Sequence, residues 1–408
     1  MPSDLYYNNI ITSMGVYASK NISLKAEKIP GVMNLSFGEP EFGPPEYLLE
    51  KIQAEGLSLE TFLSSVKRYE DPRGSLKLRK AVSSWYHQHY GLIINPETEI
   101  MITHGGVEAI TLSILCTSDA GDSIMISSPS YMLYERTIKI LNREPFSLER
   151  STSDSQYADA LNEELSDLLK NKHKIRMMIV NSPENPSGYV LNKEDWEAVH
   201  KFCSTNDIWL VHDEVYDTMH FTRDHKPAGT SSLLPKNSVI INSFSKKFGI
   251  PGLRIGWLIA NEEFIEQAAK AHDYMYLGVN IQYEEIARLI LEDTEIDKWL
   301  IANSAKIHQR ALKMTSILTE EMGYAWDRPP YGAMFLFPNV ENLYKTIPAR
   351  FRKDNLTVGE AVADYLLEVK KVAVVPGIVY GKNSSNHIRI VLCSSDDIFE
   401  NALNQLSR

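Results

Sequence analysis

The stretch Ser238–Ala260, SVIINSFSKKFGIPGLRIGWLIA, indicates the fold class of this 408-residue chain. It contains two short apolar runs, 238–242 and 254–260, whose length and β-branched content are typical of buried strands. A polar turn with two serines and two lysines, 243–247, directly follows the first run. A lysine pair alone is most often a solvated surface, so the interpretation of this turn depends on the rest of the chain.

Further apolar runs of the same kind alternate with amphipathic segments toward the N-terminus. The six predicted strands are 100–104, 123–129, 176–183, 208–214, 238–244 and 254–260. Between two of them, Leu191–Cys203 has helical periodicity, with Trp196, Val199 and Phe202 on one face. Strands that alternate with helices favour an α/β fold, in which helices cover a mostly parallel sheet.

The pattern changes after about residue 295. A long helical stretch, 299–322, precedes a strand-like run, 331–337, and Thr357 with Glu360 forms a capping-box sequence before another helix. Two more strand candidates follow, 371–377 and 387–393. We therefore expect a large α/β domain and a smaller α+β domain. The predicted division is an N-terminal arm 1–30, a small domain 31–45 plus 295–408, and a large domain 46–294.

Composition excludes several classes of protein. Hydrophobic residues make up 43% of the chain, as in a globular enzyme, and the net charge of −11 argues against nucleic-acid or anionic-membrane binding. Three widely spaced cysteines predict neither a disulfide framework nor a zinc site, which favours a cytoplasmic location. Neither a signal peptide nor a membrane span is predicted from the sequence.

Polar residues that follow the predicted strands are the candidates for chemistry, because ligands of open α/β sheets bind beyond the carboxyl ends of the strands. Gly105 and Gly106 open a helix, whose N-terminus suits a phosphate. A carboxylate, Asp213, follows one strand, and Lys246 and Arg254 follow others. Each of these residues also has an ordinary structural explanation, as part of a turn, a helix cap or a surface charge. Together they suit a phosphorylated pyridine aldehyde, which needs an amine, an acid and anion-binding groups.

With these residues in place, the sequence resembles the class I/II, aspartate-aminotransferase-like family of fold-type I pyridoxal-phosphate enzymes. The resemblance extends from about Asn34 to Arg389 and follows the family's motif order. The matching segments are Gly38-Glu39-Pro40, Tyr69-x4-Gly74-x4-Arg79, Gly105-Gly106-Val107, Pro129-Ser130-Tyr131, Asn185-Pro186-Ser187-Gly188, Asp213-Glu214-Val215-Tyr216, Ser243-Phe244-Ser245-Lys246 and Gly252-Leu253-Arg254-Ile255-Gly256.

The resemblance implies pyridoxal 5′-phosphate as cofactor, with Lys246 forming its Schiff base. Asp213 would pair with the pyridine nitrogen, and Tyr216 and Asn185 would bind the ring hydroxyl. The implied catalytic residues are Lys246, Asp213 and Tyr216. The implied cofactor-binding residues are Tyr69, Gly105, Gly106, Val107, Tyr131, Asn185, Asp213, Tyr216, Ser243, Ser245, Lys246 and Arg254.

The resemblance also implies substrate and subunit contacts. Arg389, after Val375-Pro376-Gly377, would bind the substrate carboxylate, with Gly38 and Asn185 beside the substrate. Tyr69 would reach the phosphate of a second subunit, which implies a homodimer with shared active sites.

The expected activity is transfer of an amino group between an L-amino acid and a 2-oxo acid. A pyridoxal-phosphate lyase or cyclase remains the alternative, since cofactor motifs do not separate these reactions. In many aspartate-using relatives a lysine occupies the position of Val107, which lowers the expectation of aspartate or glutamate as the main donor. We expect no metal site, because His104 and His212 lack a second ligand cluster. A ligand-sensing transcription factor and a nucleotide-binding protein are both disfavoured.

Overall fold

The computed structural model describes residues 7–55, 58, 60, 63–64, 66–150, 155–162, 165, 174–222, 236–326 and 330–407. Its main feature is a seven-stranded sheet. The strand order across the sheet is Ile100–Thr103, Gly256–Ile259, Ser238–Ser243, Trp209–Asp213, Ile175–Asn181, Ser123–Ser128 and Glu144–Glu149. Only Gly256–Ile259 is antiparallel to its neighbours, so the carboxyl ends of the other six strands share one edge.

All six strands predicted from the sequence are confirmed, but the seventh was missed. Glu144–Glu149 lies at the edge of the sheet, and only one of its six residues, Leu148, is buried. An edge strand with a solvated face carries no apolar run, and proline is tolerated there because its missing N–H faces away from the ladder. Because Pro145 and the glutamates at both ends interrupt its apolar pattern, this strand could not be predicted from hydrophobic runs.

Helices pack on both faces of the sheet. Alternate residues of one strand point into different cores: Ile100 and Ile102 join one cluster, whereas Met101 joins the other. The helices of this region are Leu48–Ala54, Leu76–Tyr90, Gly105–Thr117, Met132–Ile140, Gln156–Ala160, Lys193–Thr205, Phe244–Lys247, Glu262–Tyr276 and Ile281–Leu291, with a 3₁₀ turn at Pro251–Leu253.

The helix predicted over 191–203 forms at Lys193–Thr205. Asn192 and Asp195 make a reciprocal capping box, which fixes the start of the helix two residues later than predicted. Trp196, Val199 and Phe202 are buried, as their spacing predicted.

The C-terminal region builds a second core around the long helix Ile296–Met322. Its sheets pair Met33–Asn34 with Val372–Ala373, and Ile388–Val391 with both Val375–Pro376 and Phe335–Leu336. Its remaining helices are Glu341–Thr346, Ala349–Phe351, Val358–Tyr365, Leu366–Lys370, Gly377–Tyr380, Lys382–Ser384 and Asp396–Leu406. Thr357 and Glu360 form the expected capping box. A segment near residue 33 does return to this region, while the domain boundaries stay a prediction.

The strand predicted over 331–337 is wrong in extent, since only Phe335–Leu336 is a strand. The N–H groups of Tyr331 and Gly332 donate to the carbonyl of Gly188, and that of Ala333 donates to Met219. These backbone bonds join the segment to loops beside the large sheet, so they are lost to strand pairing. Ala333 also has a left-handed backbone, with φ of 58°.

The N-terminal residues form two helices, Asn9–Ser13 and Ala18–Ala26. Tyr17, which lies between them, reaches the start of the helix Met132–Ile140, where its hydroxyl lies 2.7 Å from that of Tyr131, the residue before this helix. Among the described residues, no helix combines the length and apolar character needed to cross a bilayer.

Candidate active site

A cavity of about 500 Å³ lies at the shared carboxyl edge of the large sheet. Its walls come from the large sheet's loops, the segment after Met33–Asn34 and the strand Ile388–Val391. The predicted site residues that line it are Gly38, Gly106, Val107, Tyr131, Asn185, Asp213, Tyr216, Ser243, Ser245, Lys246, Arg254 and Arg389. The fold thus brings together residues that are up to 351 positions apart, from Gly38 to Arg389.

Lys246 occupies the short helix that follows the strand Ser238–Ser243. Its Nζ donates to the carbonyl of Gly38 at 2.6 Å. Burial lowers the pKa of this amine, because the charged form loses hydration. A larger neutral fraction makes the amine a better nucleophile and a better proton acceptor.

Asp213 ends its strand with a buried carboxylate. Burial raises the pKa of Asp213 to about 6, even though the hydroxyl of Tyr134 donates to its Oδ2 at 2.6 Å and favours the charged form. A cationic N–H beside this carboxylate would lower its pKa, because the positive charge stabilises the ionised form that burial destabilises. Tyr134 is a site residue that sequence reasoning missed; it lies in the first turn of the helix Met132–Ile140, three residues after Tyr131.

Ser243, Ser245 and Arg254 form a connected polar cluster. Ser243 Oγ donates to Ser245 Oγ at 3.0 Å, and an Arg254 Nη lies 3.5 Å from the same Ser245 oxygen. Arg254 has a left-handed backbone, with φ of 55°, which turns the chain back toward the strand Gly256–Ile259.

Gly105 begins the helix beside this cluster but is not among the residues that line the cavity. Its φ is +75°, and a Cβ there would lie 2.7 Å from an Arg254 nitrogen. The left-handed turn therefore favours glycine, and a side chain here would displace the end of the Arg254 guanidinium. Two hydroxyls, a guanidinium and the start of a helix thus lie side by side, and groups of this kind are suited to binding an anion.

Arg389 is 3% exposed and lies on the middle strand of its three-stranded sheet, so it is not a surface charge on an edge strand. One Nη donates to Asn185 Oδ1 at 3.1 Å and the other to the carbonyl of Ser36 at 2.8 Å. The second Nη also lies 3.4 Å from Ser19 Oγ, while Nε has no hydrogen-bond partner among the described residues. Asn185 and Ser36 thus hold the guanidinium beside the cavity.

Tyr17, whose tyrosine-rich segment is a sequence candidate for lining a side-chain pocket, and Asn181, which the sequence analysis did not single out, also line the cavity. Tyr17 lines the cavity and contacts Tyr131 through the hydroxyl pair. Asn181 donates to the carbonyl of Asp213 and accepts from the N–H of Asn185, so it ties the Asn185 turn to the end of the neighbouring strand. Asn181 belongs to no motif, and only the folded chain reveals its position.

Tyr69 is 79% exposed and does not line the cavity of its own chain. His212 faces the carbonyl of Ser182 at 3.2 Å and packs against Trp196, and His104 stacks near His272. Both histidines therefore pack against other aromatic rings. Across the described ranges, no cluster of three or more His, Cys, Asp or Glu side chains is arranged for a metal ion.

Fold and site together define a fold-type I transferase, with a helix-covered, mostly parallel sheet and a lysine at the edge where its strands end. The chain belongs to the family described as aminotransferase class I and II, whose family model matches residues 30–406. It is therefore an aminotransferase, and this family depends on pyridoxal phosphate.

Individual relatives are distant but match over most of their length. The aspartate aminotransferase of Pyrococcus horikoshii is 26% identical over 94% of this chain and 92% of its own length. The aromatic-amino-acid aminotransferase 2 of Thermococcus litoralis is 25% identical, with the same shares covered. In fold, the chain is similar to N-succinyldiaminopimelate aminotransferase from Mycobacterium tuberculosis, with a TM-score of 0.83, 24% identity and 99% of both chains covered. These comparisons do not favour the lyase or cyclase alternative.

Proposed function

We propose that this chain binds pyridoxal 5′-phosphate in the cavity and transfers amino groups by means of Lys246. The observation that carries the proposal is the enclosure of the Lys246 amine in the same cavity as the buried Asp213 carboxylate and the Ser243–Ser245–Arg254 cluster. An amine, an acid and an anion site match the aldehyde, the ring nitrogen and the phosphate of this cofactor.

The phosphate would bind at the start of the helix Gly105–Thr117. Free N–H groups of the first turn and the helix dipole attract an anion there. Ser243, Ser245 and Arg254 would supply two hydroxyls and a guanidinium, which bind phosphate by charge-assisted hydrogen bonds.

The ring would lie between Tyr131 and the end of the sheet. Asp213 would accept from the ring nitrogen, and this cationic partner would lower the pKa of the carboxylate from its value of about 6. Tyr216, whose pKa burial raises, stays a neutral donor and would bind the ring hydroxyl together with Asn185.

The cofactor, when bound, supplies an aldehyde that condenses with amines and a ring that draws electrons from the substrate Cα. Lys246 is the base of the proposed reaction. Its amine, with a pKa lowered by burial, takes the Cα proton of the amino acid and later returns it. Asp213 holds the proton of the ring nitrogen throughout.

Arg389 would bind the carboxylate of the amino acid or oxo acid. Its contacts with Asn185 and Ser36 hold the guanidinium rigidly, which orients the Cα of the substrate toward the lysine. The substrate side chain would then meet Val107, Ile110 and Leu133. This apolar wall favours an apolar or aromatic donor over an acidic one.

We also propose a homodimer. Tyr274, Met275, Tyr276 and Leu277 are consecutive exposed apolar residues, with Tyr274 94% exposed. A Cβ at Gly278 would lie 3.6 Å from Glu70, so this patch adjoins the exposed Tyr69. Several large exposed apolar side chains close together are typical of subunit interfaces. The three cysteines are free, which fits the predicted cytoplasmic location.

Absorbance spectra and chemical trapping test the proposed function. The purified protein should show the absorbance spectrum of a pyridoxal-phosphate enzyme. An amino acid donor should change this spectrum and release one equivalent of oxo acid, and more oxo acid should form only after an acceptor oxo acid is added. Borohydride should attach the cofactor to residue 246. Turnover without an acceptor would indicate a lyase or cyclase, and cofactor trapped at the same peptide of Lys246→Ala would refute the lysine assignment.

A further inference from the structure

A buried carboxylate–imidazole pair lies beneath the anion site and outside the cavity. Glu108 Oε1 is 2.6 Å from His272 Nδ1, and their side chains are 3% and 0% exposed. Glu108 belongs to the first turns of the helix Gly105–Thr117, whereas His272 lies on the helix Glu262–Tyr276. No step of the proposed reaction uses either residue.

The other oxygen of Glu108 binds the backbone of the anion-binding turn. Oε2 accepts from the N–H of His104 at 2.5 Å. On the opposite side of the same residue, Arg254 donates to the carbonyl of His104 at 3.2 Å. His104 precedes the helix and has no side-chain cap of its own, so these two bonds set the direction from which the chain enters Gly105 and Gly106.

The negative charge of Glu108 should disfavour anion binding at this turn. A carboxylate near a helix N-terminus competes with a bound anion for the same positive potential, and two anions in a poorly hydrated region repel each other. His272 is the basic side chain bonded to Glu108. The other titratable groups nearby are His104 and Tyr276, whose rings lie 5.8 Å and 5.6 Å from that of His272, and Arg254 on the far side of the turn.

We propose that Glu108 and His272 are positioning residues for the cofactor phosphate. Glu108 holds the N–H of His104 and thereby orients the turn. His272, bonded to Glu108 through Nδ1 and carrying a second proton on Nε2, cancels the negative charge of Glu108; its Nε2 is buried and has no hydrogen-bond partner among the described residues. The turn is thus held by a carboxylate without presenting an extra anion to the phosphate. This inference rests on the proposed function, because it assumes that the phosphate binds at Gly105–Gly106.

Cofactor affinity of matched variants tests the pair. His272→Gln keeps an N–H for Glu108 but cannot carry charge, Glu108→Gln keeps an oxygen for His104 but removes the charge, and the double variant forms a neutral amide pair. The dissociation constant of pyridoxal phosphate is measured by titrating the cofactor-free protein and following absorbance. His308→Phe, which removes a half-buried imidazole stacked on Phe221, serves as the control.

We expect His272→Gln to weaken cofactor binding about tenfold, since one uncompensated charge nearby is of the order of 1.4 kcal/mol. Glu108→Gln and the double variant should bind within about threefold of the unaltered protein. Rescue by the second substitution separates charge balance from packing, because packing damage in two buried positions would accumulate. The control should bind normally.

The inference would be overturned if His272→Gln bound pyridoxal phosphate as tightly as the unaltered protein does. It would also be overturned if the double variant bound the cofactor no more tightly than His272→Gln does. If His272→Gln does not fold, His272→Asn, which keeps a neutral N–H at the Nδ1 position, is subject to the same outcomes. A failure of the unaltered protein to bind pyridoxal phosphate would instead refute the proposed function, so the two failures are distinguishable.

Discussion

Lys246 and Lys247, neighbours in the sequence, have opposite surroundings. Lys246 Nζ faces the cavity and donates to the carbonyl of Gly38, whereas Lys247 Nζ lies 2.7 Å from Asp217 Oδ2, with both side chains fully buried. The Lys247 amine also lies 4.8 Å from the ring of Trp85. One lysine is therefore available for chemistry, and the other is part of the core.

Substitution of the two lysines should have opposite effects. Lys247→Met leaves the Asp217 carboxylate buried without its partner and should lower the free energy of unfolding by about 3–5 kcal/mol. Lys246→Ala removes a desolvated amine and should not lower it. Urea denaturation measures the stabilities, and borohydride trapping with peptide mapping should label Lys247→Met at residue 246 but leave Lys246→Ala unlabelled. The reverse pattern would exchange the two roles.

Asp213→Asn should stabilise the cofactor-free protein while impairing cofactor binding. The carboxyl ionises near pH 3.8 when unfolded and near pH 6 when folded, so the folded state loses stability as pH rises through that window. Above pH 6 the cost is about 3 kcal/mol. Asparagine still accepts from Tyr134 and avoids this cost.

Urea denaturation of both cofactor-free proteins at several pH values measures the difference. It should be negligible near pH 4, grow to pH 6 and then stay constant. Equal stability at pH 8 would contradict the assigned pKa of Asp213.

Tyr134→Phe should make the Asp213 carboxyl harder to ionise. The tyrosine donates to Oδ2 at 2.6 Å, and a hydrogen bond to a charged group contributes about 1.5–3 kcal/mol, so its loss should raise the pKa of Asp213 by about one unit or more. The pH dependence of cofactor affinity should shift upward accordingly. Tyr324→Phe is the control, because that buried hydroxyl has no hydrogen-bond partner in the described part of the chain. An unshifted profile in Tyr134→Phe would contradict this role.

The convergence of the site was predictable from the sequence, because strand ends can be located from apolar runs. Asp213 ends one strand, Ser243 ends the next, and Gly105 follows a third, so a parallel sheet places them at one edge. The resemblance supplied the rest of the motif residues. Their roles as catalytic and binding groups stay predictions that the experiments above test.

Contacts between distant segments could not be predicted in this way. Glu108 and His272 are 164 positions apart, and Tyr17 and Tyr131 are 114 apart. The first pair depends on how two helices pack, and the second on how the starts of two helices meet. The periodicity of a single helix leaves both open. The same limit explains the wrong extent of the strand predicted over 331–337. Backbone N–H groups of this run donate to Gly188 and Met219, and neither residue lies in a predicted strand.

Val107 offers a test of donor preference. It lines the cavity, is 41% exposed and stands at the start of the helix Gly105–Thr117, beside Ile110. The unaltered protein should therefore use phenylalanine or leucine with a higher kcat/KM than aspartate, because an acidic side chain would lose hydration against an apolar wall.

Val107→Lys should reverse that preference by adding a cation where the donor's side chain lies. An ion-paired hydrogen bond of about 1.5–3 kcal/mol corresponds to a gain of at least about tenfold in kcat/KM for aspartate relative to phenylalanine. Val107→Leu, which keeps the wall apolar, should leave the ratio unchanged. Steady-state kinetics with both donors and one oxo acid acceptor measure the ratio. If Val107→Lys lowers both donors equally, the side-chain pocket lies elsewhere, and Lys20, which also lines the cavity, is the next cation to substitute.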